Sequence, residues 1–499
     1  MGVSFNHIDP ATRVPLFYAE LDNSQASYYQ NQQRALLIAQ MLPGGTAEPL
    51  KPILMGGLGQ EAALFGAGSH LARMVNVYRQ NDAFGEIWCL PMPADEAAVE
   101  AEGTITIAGV PTAGGTIYLY IANQLVKVKA LPGDSATVIA TALKTAINAL
   151  TSLPVTAASE AGVITLTATQ AGLAGNDIDL RINLNGAVGG ETTPAGITIT
   201  IEAMSGGTGA PDVAAALAAK GDEEFDFVGI PYTDAVSLNA IRDEWDEETG
   251  CWSWLRQVYG HVFSAKRGTV SGLQTFGITR NDPHVTIAGY NDSATPPWEV
   301  TAAWVAQSAV SLRIDPARPL QTLPLVGVSA PPMESRFSIS ERQTLLTCGV
   351  ATSTTSRDGV VHIERAVTTY QRNAWGQPDP SYLDVETLYT LAYVLRFMKQ
   401  AITQKYGRHK LANDGTAFGP GQAMVTPKVI KAEIVAQYRA LEEMGLVENT
   451  DLFKANLIVE RAADNPNRIN VLYPPDLVNQ LRIFAVLAQF RLQYPAVAA

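Results

Sequence analysis

The 499-residue chain has only three cysteines, Cys89, Cys251 and Cys348, and only six histidines. The cysteines lie far apart and form no CxxC pair. That excludes a zinc knuckle, and it fits a reducing compartment in which each thiol is a small core residue. His7, His70, His261, His284, His362 and His409 show no HExxH pattern and no spacing that sets two ligands on one helix face, so no metal site is expected. No apolar run approaches the roughly 20 residues of a membrane span. The opening MGVSFNHIDP lacks the basic start and apolar core of a secretory signal, so the protein is expected to be made and kept in a cytoplasm. Basic residues are few, 35 against 48 acidic ones, for a net charge of −13. A phosphate-reading surface needs a dense basic face, so neither nucleic acid nor an anionic membrane is an expected partner.

Catalytic signatures are scarce as well. Gly56, Gly57 and Gly59 follow an apolar run as a phosphate loop would, but no Lys-Ser or Lys-Thr pair follows them. Gly66, Gly68 and Ser69 precede a helical pattern, yet Leu71 stands where a dinucleotide fingerprint needs its third glycine, and Ser69 reads as a helix cap. No GxSxG surrounds any serine. Asn176, Asp177 and Asp179 form an oxygen-rich loop with too few ligands for calcium. Asp243, Glu244, Asp246, Glu247 and Glu248 form an acidic run on a predicted helix, either a solvated face or a match for a partner's basic patch. No cofactor is expected, and an enzyme with an accessory β domain is the remote alternative.

What is present is a chain 47 % hydrophobic, enough for cores in roughly three domains. Short apolar runs at 35–41, 53–55, 86–90, 225–230, 261–265 and 285–288 read as strands. Helical patterns at 69–79, 235–248, 270–278 and 297–312 alternate with them, the last opened by Pro297. Residues 101–209 break this rhythm. They are rich in Thr, Gly, Ala and Ile, only about a tenth of them are charged, and they read as short strands with one helix at 135–150. Beyond Pro331 and Pro332, strands are predicted at 344–351 and 360–370 and a long helix at 382–406. A second helix, 427–444, has Thr426 as its cap and Val429, Ile434, Tyr438 and Leu441 as its buried stripe; strands follow at 457–461 and 469–473.

The expected fold is therefore α/β and α+β multidomain. An N-terminal arm and linker (1–33) precedes a mixed-sheet α/β body (34–96 plus 210–332), which carries an inserted small β-rich domain (97–209). A C-terminal α+β domain (333–475) and a C-terminal arm (476–499) follow. Residues 479–494, NQLRIFAVLAQFRLQY, place Leu481, Ile483 and Leu487 on one side of an extended chain and Phe484, Val486 and Phe490 on the other. Such a run is either a strand donated to another molecule or a buried terminal helix. Residues 13–22 mirror it, with Arg13, Val14, Leu16, Phe17, Tyr18 and Leu21 in an extended pattern apolar on both sides.

Long segments carry a family resemblance: SFNHIDPATRVPLFYAELDNSQA from Ser4, SISERQTLLTCGVAT from Ser338, ERAVTTYQRNAWGQPDPSYLDVETLYTLAYVLRFMKQ from Glu364, RHKLANDGT from Arg408, and LIVERAADNPNRINVLYPPDLVNQLRIFAVLAQFRL from Leu457. These resemble tail sheath proteins of Mu-like contractile-tailed bacteriophages. The resemblance implies a non-enzymatic structural subunit of the virion that polymerises as stacked hexameric rings around a tail tube and contracts to drive the tube through the host envelope. A phage-tail-like bacteriocin or a prophage remnant is the alternative source. Implied partners are further copies of the chain, the tail tube protein, and the baseplate and tail terminator proteins. In that family both arms add strands to neighbouring subunits. The helix at 427–444, with Lys428, Lys431 and Arg439, is then expected to face the tube, and the inserted domain to project outward.

Overall fold

The computed structural model describes residues 33–57 and 59–492; the N-terminal run that holds Arg13, Val14, Leu16, Phe17, Tyr18 and Leu21 lies outside them. Ala35–Gln40 (β1, ALLIAQ) is buried along its whole length, as a strand covered on both faces must be. Ile53–Leu54 (β2) and two helices, Glu61–Phe65 (α1) and His70–Asn81 (α2), lead to Ile87–Met92 (β3), which pairs parallel to β1 from Ala35↔Ile87 to Gln40↔Met92. Ser69 caps α2 by accepting from the Ala72 N–H, the role its position before the helical pattern predicts.

Between β3 and Val213 the chain builds two separate sheets. Glu102–Gly109 (β4), Gly115–Ile121 (β5), Gln124–Ala130 (β6), the helix Ala136–Ala149 (α3), Val155–Glu160 (β7), Val163–Ala168 (β8), Leu180–Ile182 (β9) and Ile197–Ser205 (β10) form sheets in the orders β10-β4-β8-β7 and β6-β5-β9. Two-residue turns close the hairpins: Ala122 and Asn123 between β5 and β6, Ala161 and Gly162 between β7 and β8, all four with positive φ, the geometry that matches the twist of paired strands. Strand β7 is absent from the sequence reading. Its VTAASE has too few bulky residues to announce a strand, and the Ala-Gly turn is its one local signal.

The chain then returns to the first sheet through Val213–Lys220 (α4), Phe227–Gly229 (β11), Ala235–Glu244 (α5), His261–Arg267 (β12), Val270–Gly277 (α6), Val285–Tyr290 (β13), Pro297–Ile314 (α7), Ile339–Thr347 (α8), Val350–Thr355 (β14) and Val361–Arg365 (β15). The eight strands lie in the order β15-β14-β13-β12-β11-β1-β3-β2, parallel except for the two edge strands, which are antiparallel to their neighbours. Alternate residues of β1 serve opposite cores. Ala35, Leu37 and Ala39 pack with α2 and α7, while Leu36 and Ile38 pack with α4 and α5.

Two expectations are corrected in this stretch. Residues 344–347, read as the start of a strand, end α8 instead. A capping box, in which Ser338 accepts from the Glu341 N–H and Glu341 accepts from the Ser338 N–H, starts that helix, and Gly349 at φ +71° turns the chain into β14. The sheet also runs across the boundary expected at residue 333, because β14 pairs parallel to β13 and β15 pairs with β14.

The remaining elements surround a core of their own: Val385–Tyr406 (α9), Lys410–Leu411 (β16), Met424–Val425 (β17), Pro427–Glu443 (α10), Thr450–Asn456 (α11), Ile458–Arg461 (β18) and Ile469–Leu472 (β19). Helix α9 has 22 residues and spans about 33 Å. Its first turns, with Val385 and Tyr389, belong to the sheet core, whereas Val394 belongs to the core built by Ile430, Ile434, Tyr438 and Leu441 of α10. Buried Arg396 fixes the helix to the body through Asp226 at 2.5 Å and Glu224 at 2.7 Å.

A similar buried cation fixes the two smaller sheets. Arg73 of α2 pairs with Glu299 of α7 at 2.6 Å and donates to the Ala122 and Ser152 carbonyls, both outside the large sheet. Three histidines add a pH dependence to this packing. His70 stacks on Trp298 at 4.2 Å, and burial holds its imidazole down at about 3. Burial also lowers His261 and His284, with Glu247 partly opposing it at His284. Each group protonates more readily when unfolded, near pH 6.5, so its stabilisation is complete above that pH and is lost as pH falls below it. Each protonating histidine adds a slope of about 1.4 kcal/mol per pH unit. The urea midpoint should therefore fall from pH 7.5 to pH 5, and less so in His70→Gln; equal pH sensitivity in that variant would remove His70 from the account.

Candidate functional site: an unpaired terminal segment and an open hairpin

Residues 473–492 form no helix, which removes the buried terminal-helix alternative over the described part of the run. The first half of the segment is seated. Leu477 bridges Val447, the Val478 N–H donates to the Leu446 carbonyl at 3.2 Å, and Tyr438 Oη accepts from the Asp476 N–H at 3.0 Å. Gln480 reaches the Ala317 carbonyl, and Arg482 places its guanidinium 2.8 Å from Glu386 and 3.1 Å from Asp384, with Gln321 alongside at 3.3 Å. Glu386 is fully buried at the start of α9, and its other oxygen accepts from the Leu320 N–H. Arg482 thus anchors the segment to the body through a charge that needs it.

Around and beyond that anchor the apolar side chains face water. Leu481, Ile483, Phe484, Val486, Leu487 and Phe490 each expose between 70 % and 86 % of their surface. Burying such a set is worth on the order of 10 kcal/mol before ordering costs are subtracted. That much contiguous exposed apolar surface marks a contact site for another molecule.

The complementary feature lies in the same region. β18 and β19 pair antiparallel from Ile458↔Leu472 to Arg461↔Ile469, and among the described residues no third strand pairs with either outer edge. Ile458, Val471 and Leu472 are exposed on it. A two-stranded ribbon is marginal in water and gains stability from a third strand.

Helix α10 separates the three cations assigned to it. Lys428 and Arg439 are exposed on a stripe with Ala432 and Ala436 between them. Lys431 turns inward and donates to the Leu457 carbonyl at 2.6 Å, where it holds the start of β18. The buried stripe is Ile430, Ile434, Tyr438 and Leu441; Val429, assigned to it from the sequence, is 40 % exposed. Thr426 is the N-cap residue without a side-chain cap bond, and Asp414, which the sequence reading passed over, accepts from the Lys428 N–H at 3.0 Å.

The acidic run at 243–248 is largely used internally. Helix α5 stops at Glu244, which pairs with Lys220 and Arg256; Asp246 accepts from the Glu248 and Thr249 N–H groups; and Glu247 lies 3.4 Å from His284. Asp179 and Asn176 are likewise engaged, with Arg181 and Gly207 respectively. Among the described residues no group of His, Cys, Asp and Glu is placed to hold a metal ion, all three cysteines are buried and free, and no helix is long and apolar enough to cross a membrane.

Residues 206–369 match the family model of the phage tail sheath protein central domain, and residues 377–491 that of the phage tail sheath C-terminal domain. The chain is 40 % identical over 492 residues to the Mu-like prophage FluMu tail sheath protein of Haemophilus influenzae, covering 98 % of this chain and 100 % of that protein. Similar solved structures include the sheath tail protein of Desulfitobacterium hafniense, 13 % identical over 93 % of this chain and 100 % of that one, with a TM-score of 0.47. A chain of the anti-feeding prophage baseplate is 11 % identical over 97 % of this chain and 100 % of its own length, with a TM-score of 0.48.

Proposed function

The chain belongs to the phage tail sheath protein family, the sheath of Mu-like contractile tails, and on that premise we propose that residues 483–492 add a strand to the β18–β19 ribbon of a neighbouring copy. The family is structural, its members assemble into oligomeric tail sheaths, and a tail sheath is a component of the virion. The observation that carries the proposal is the exposed apolar segment beyond Arg482, together with a two-stranded ribbon whose edges are open among the described residues. Main-chain hydrogen bonds would hold the donated strand and alternate side chains would fix its register. At a net ~1 kcal/mol per backbone bond, several such bonds make a joint that stays closed while the bodies rotate.

In the full proposal Arg13, Val14, Leu16, Phe17, Tyr18 and Leu21 supply a second donated strand, and copies stack as hexameric rings around a tail tube between baseplate and terminator proteins. Contraction then draws on free energy stored in the extended stack, because better contacts between copies must follow from the change. Electron microscopy of the purified chain tests the assembly: hollow helical tubes are expected, and a persistent monomer with intact termini would overturn it.

Helix α10 is proposed to face the tube through Lys428 and Arg439. Reversing both charges should impair assembly on tubes while leaving the melting temperature within a few degrees, since exposed charges contribute little to stability. Lys431→Glu should instead destabilise the chain, because it loses the Leu457 contact. Normal assembly of the Lys428→Glu/Arg439→Glu variant would place the tube contact elsewhere.

A further inference from the structure

Trp375 is the tip of a turn that nothing in the strand-exchange reading uses. It is 84 % exposed. The backbone of its turn is fixed from several sides. The Asn373 side chain accepts from the Trp375 and Gln377 N–H groups at 3.0 and 3.1 Å, and Gly376, at φ +76°, donates back to the Asn373 carbonyl. Asn281, from the loop before β13, accepts from the Gln371 and Arg372 N–H groups at 2.7 and 2.9 Å. An aromatic side chain on a backbone ordered in advance loses little entropy on binding, the property shared by dominant residues of protein interfaces.

At the carboxyl end of β13 lies a cavity of about 350 Å³, lined on one side by Pro331, Met333, Arg336 and Phe337 and on the other by polar side chains, among them Asn291 and Ser353. Arg342 is held by Glu364 at 2.8 Å. Arg336 donates through Nε to the Pro331 carbonyl, and no carboxylate pairs with it among the described residues. A guanidinium beside Met, Phe and Pro side chains, with hydroxyl and amide groups opposite, is suited to an indole, whose negative π-face attracts the cation and whose N–H donates to a polar acceptor.

The placement of the two features decides the partner. The turn is tied to the amino end of β13, where the Thr369 N–H donates to the Val285 carbonyl, whereas Tyr290 closes the carboxyl end. Six residues of strand put them roughly 20 Å apart at opposite ends, so the knob cannot fill its own chain's cavity. We propose that Trp375 of one copy seats in this cavity of a second copy, a head-to-tail contact. Such a contact uses two different surfaces and propagates, as a stacked helical assembly requires. The proposal rests on the sheath reading and adds a contact that strand exchange does not supply.

The test uses the full chain assembled as tubes. Ala374→Cys, at the exposed position beside the retained Trp375, and Met333→Cys are made separately and together, the native cysteines being buried. Oxidised tubes of the double variant should run as a ladder on a non-reducing gel, an equal mixture of the two single variants should stop at dimers, and each single variant alone should stay monomeric. Trp375→Ala should raise the protein concentration needed for tubes about tenfold or more, and Trp375→Phe should recover part of the loss. Tubes that form without a ladder, or that form from Trp375→Ala at the wild-type concentration, overturn the contact and leave the sheath reading standing. So does density from a tail tube, or open solvent, at Trp375 in assembled tubes. A wild-type chain that makes no tubes overturns the sheath reading and this contact with it.

Discussion

A chain ending at Arg482 is expected to fold as well as the full chain and to make no tubes at all. The residues removed include Ile483, Phe484, Val486, Leu487 and Phe490, none of which is buried in the protein's own cores. Their loss therefore costs the folded body little, and the unfolding free energy read from urea titration should change by less than the roughly 0.5 kcal/mol typical of surface changes. Polymerisation should fall by orders of magnitude, because on the order of 10 kcal/mol of apolar burial and a strand's worth of backbone bonds leave the assembled state together. Placing the cut after Arg482 keeps the seat at Leu446, Ala317 and Glu386. Sedimentation and electron microscopy read the outcome. Tubes from the truncated chain would mean that the terminal segment is not a donated strand.

Much of the large sheet was legible because its signals are local. β1 is apolar at nearly every position, α2 has its serine cap, and α7 opens with Pro297 at its first turn. Errors arose where a short-range rule overruled the apolar pattern. In α8 the residues TLLT read as strand, but a capping box six residues earlier had already begun a helix. In α5 the acidic run looked helical through Glu248, whereas Asp246 captures two N–H groups and ends the regular structure at Glu244. The boundary expected at residue 333 relied on two prolines, and prolines mark a change of direction without saying which sheet the next strand joins.

The apolar character of the terminal segment on both faces was legible, and the structure leaves those side chains exposed. The segment's anchor was not legible. Arg482 finds Asp384 and Glu386 nearly a hundred residues earlier in the chain, and no spacing rule connects them. The same limit misassigned Lys431: a lysine on a predicted helix reads as solvated, and its acceptor, the Leu457 carbonyl, comes from the end of α11. The Trp375 turn was in view as part of the family resemblance, but its rigidity depends on Asn281, which only the fold brings alongside.

Arg482→Met is expected to be the most damaging single substitution in the terminal region, and to fail in two separable ways. It leaves Glu386 fully buried without its cation, and an uncompensated buried charge costs about 3–5 kcal/mol. It also frees the root of the segment from the body. Glu386→Gln separates these effects: an amide oxygen keeps the acceptor for the Leu320 N–H while removing the buried charge. The double variant Arg482→Met/Glu386→Gln should therefore regain most of the urea stability that Arg482→Met loses. It should not regain tubes at the wild-type concentration, because the strand would leave the body at no fixed angle and binding would have to supply the ordering entropy. Full recovery of both properties would show that Arg482 only neutralises Glu386. Recovery of stability alone would make it the pin that aims the strand at the next subunit.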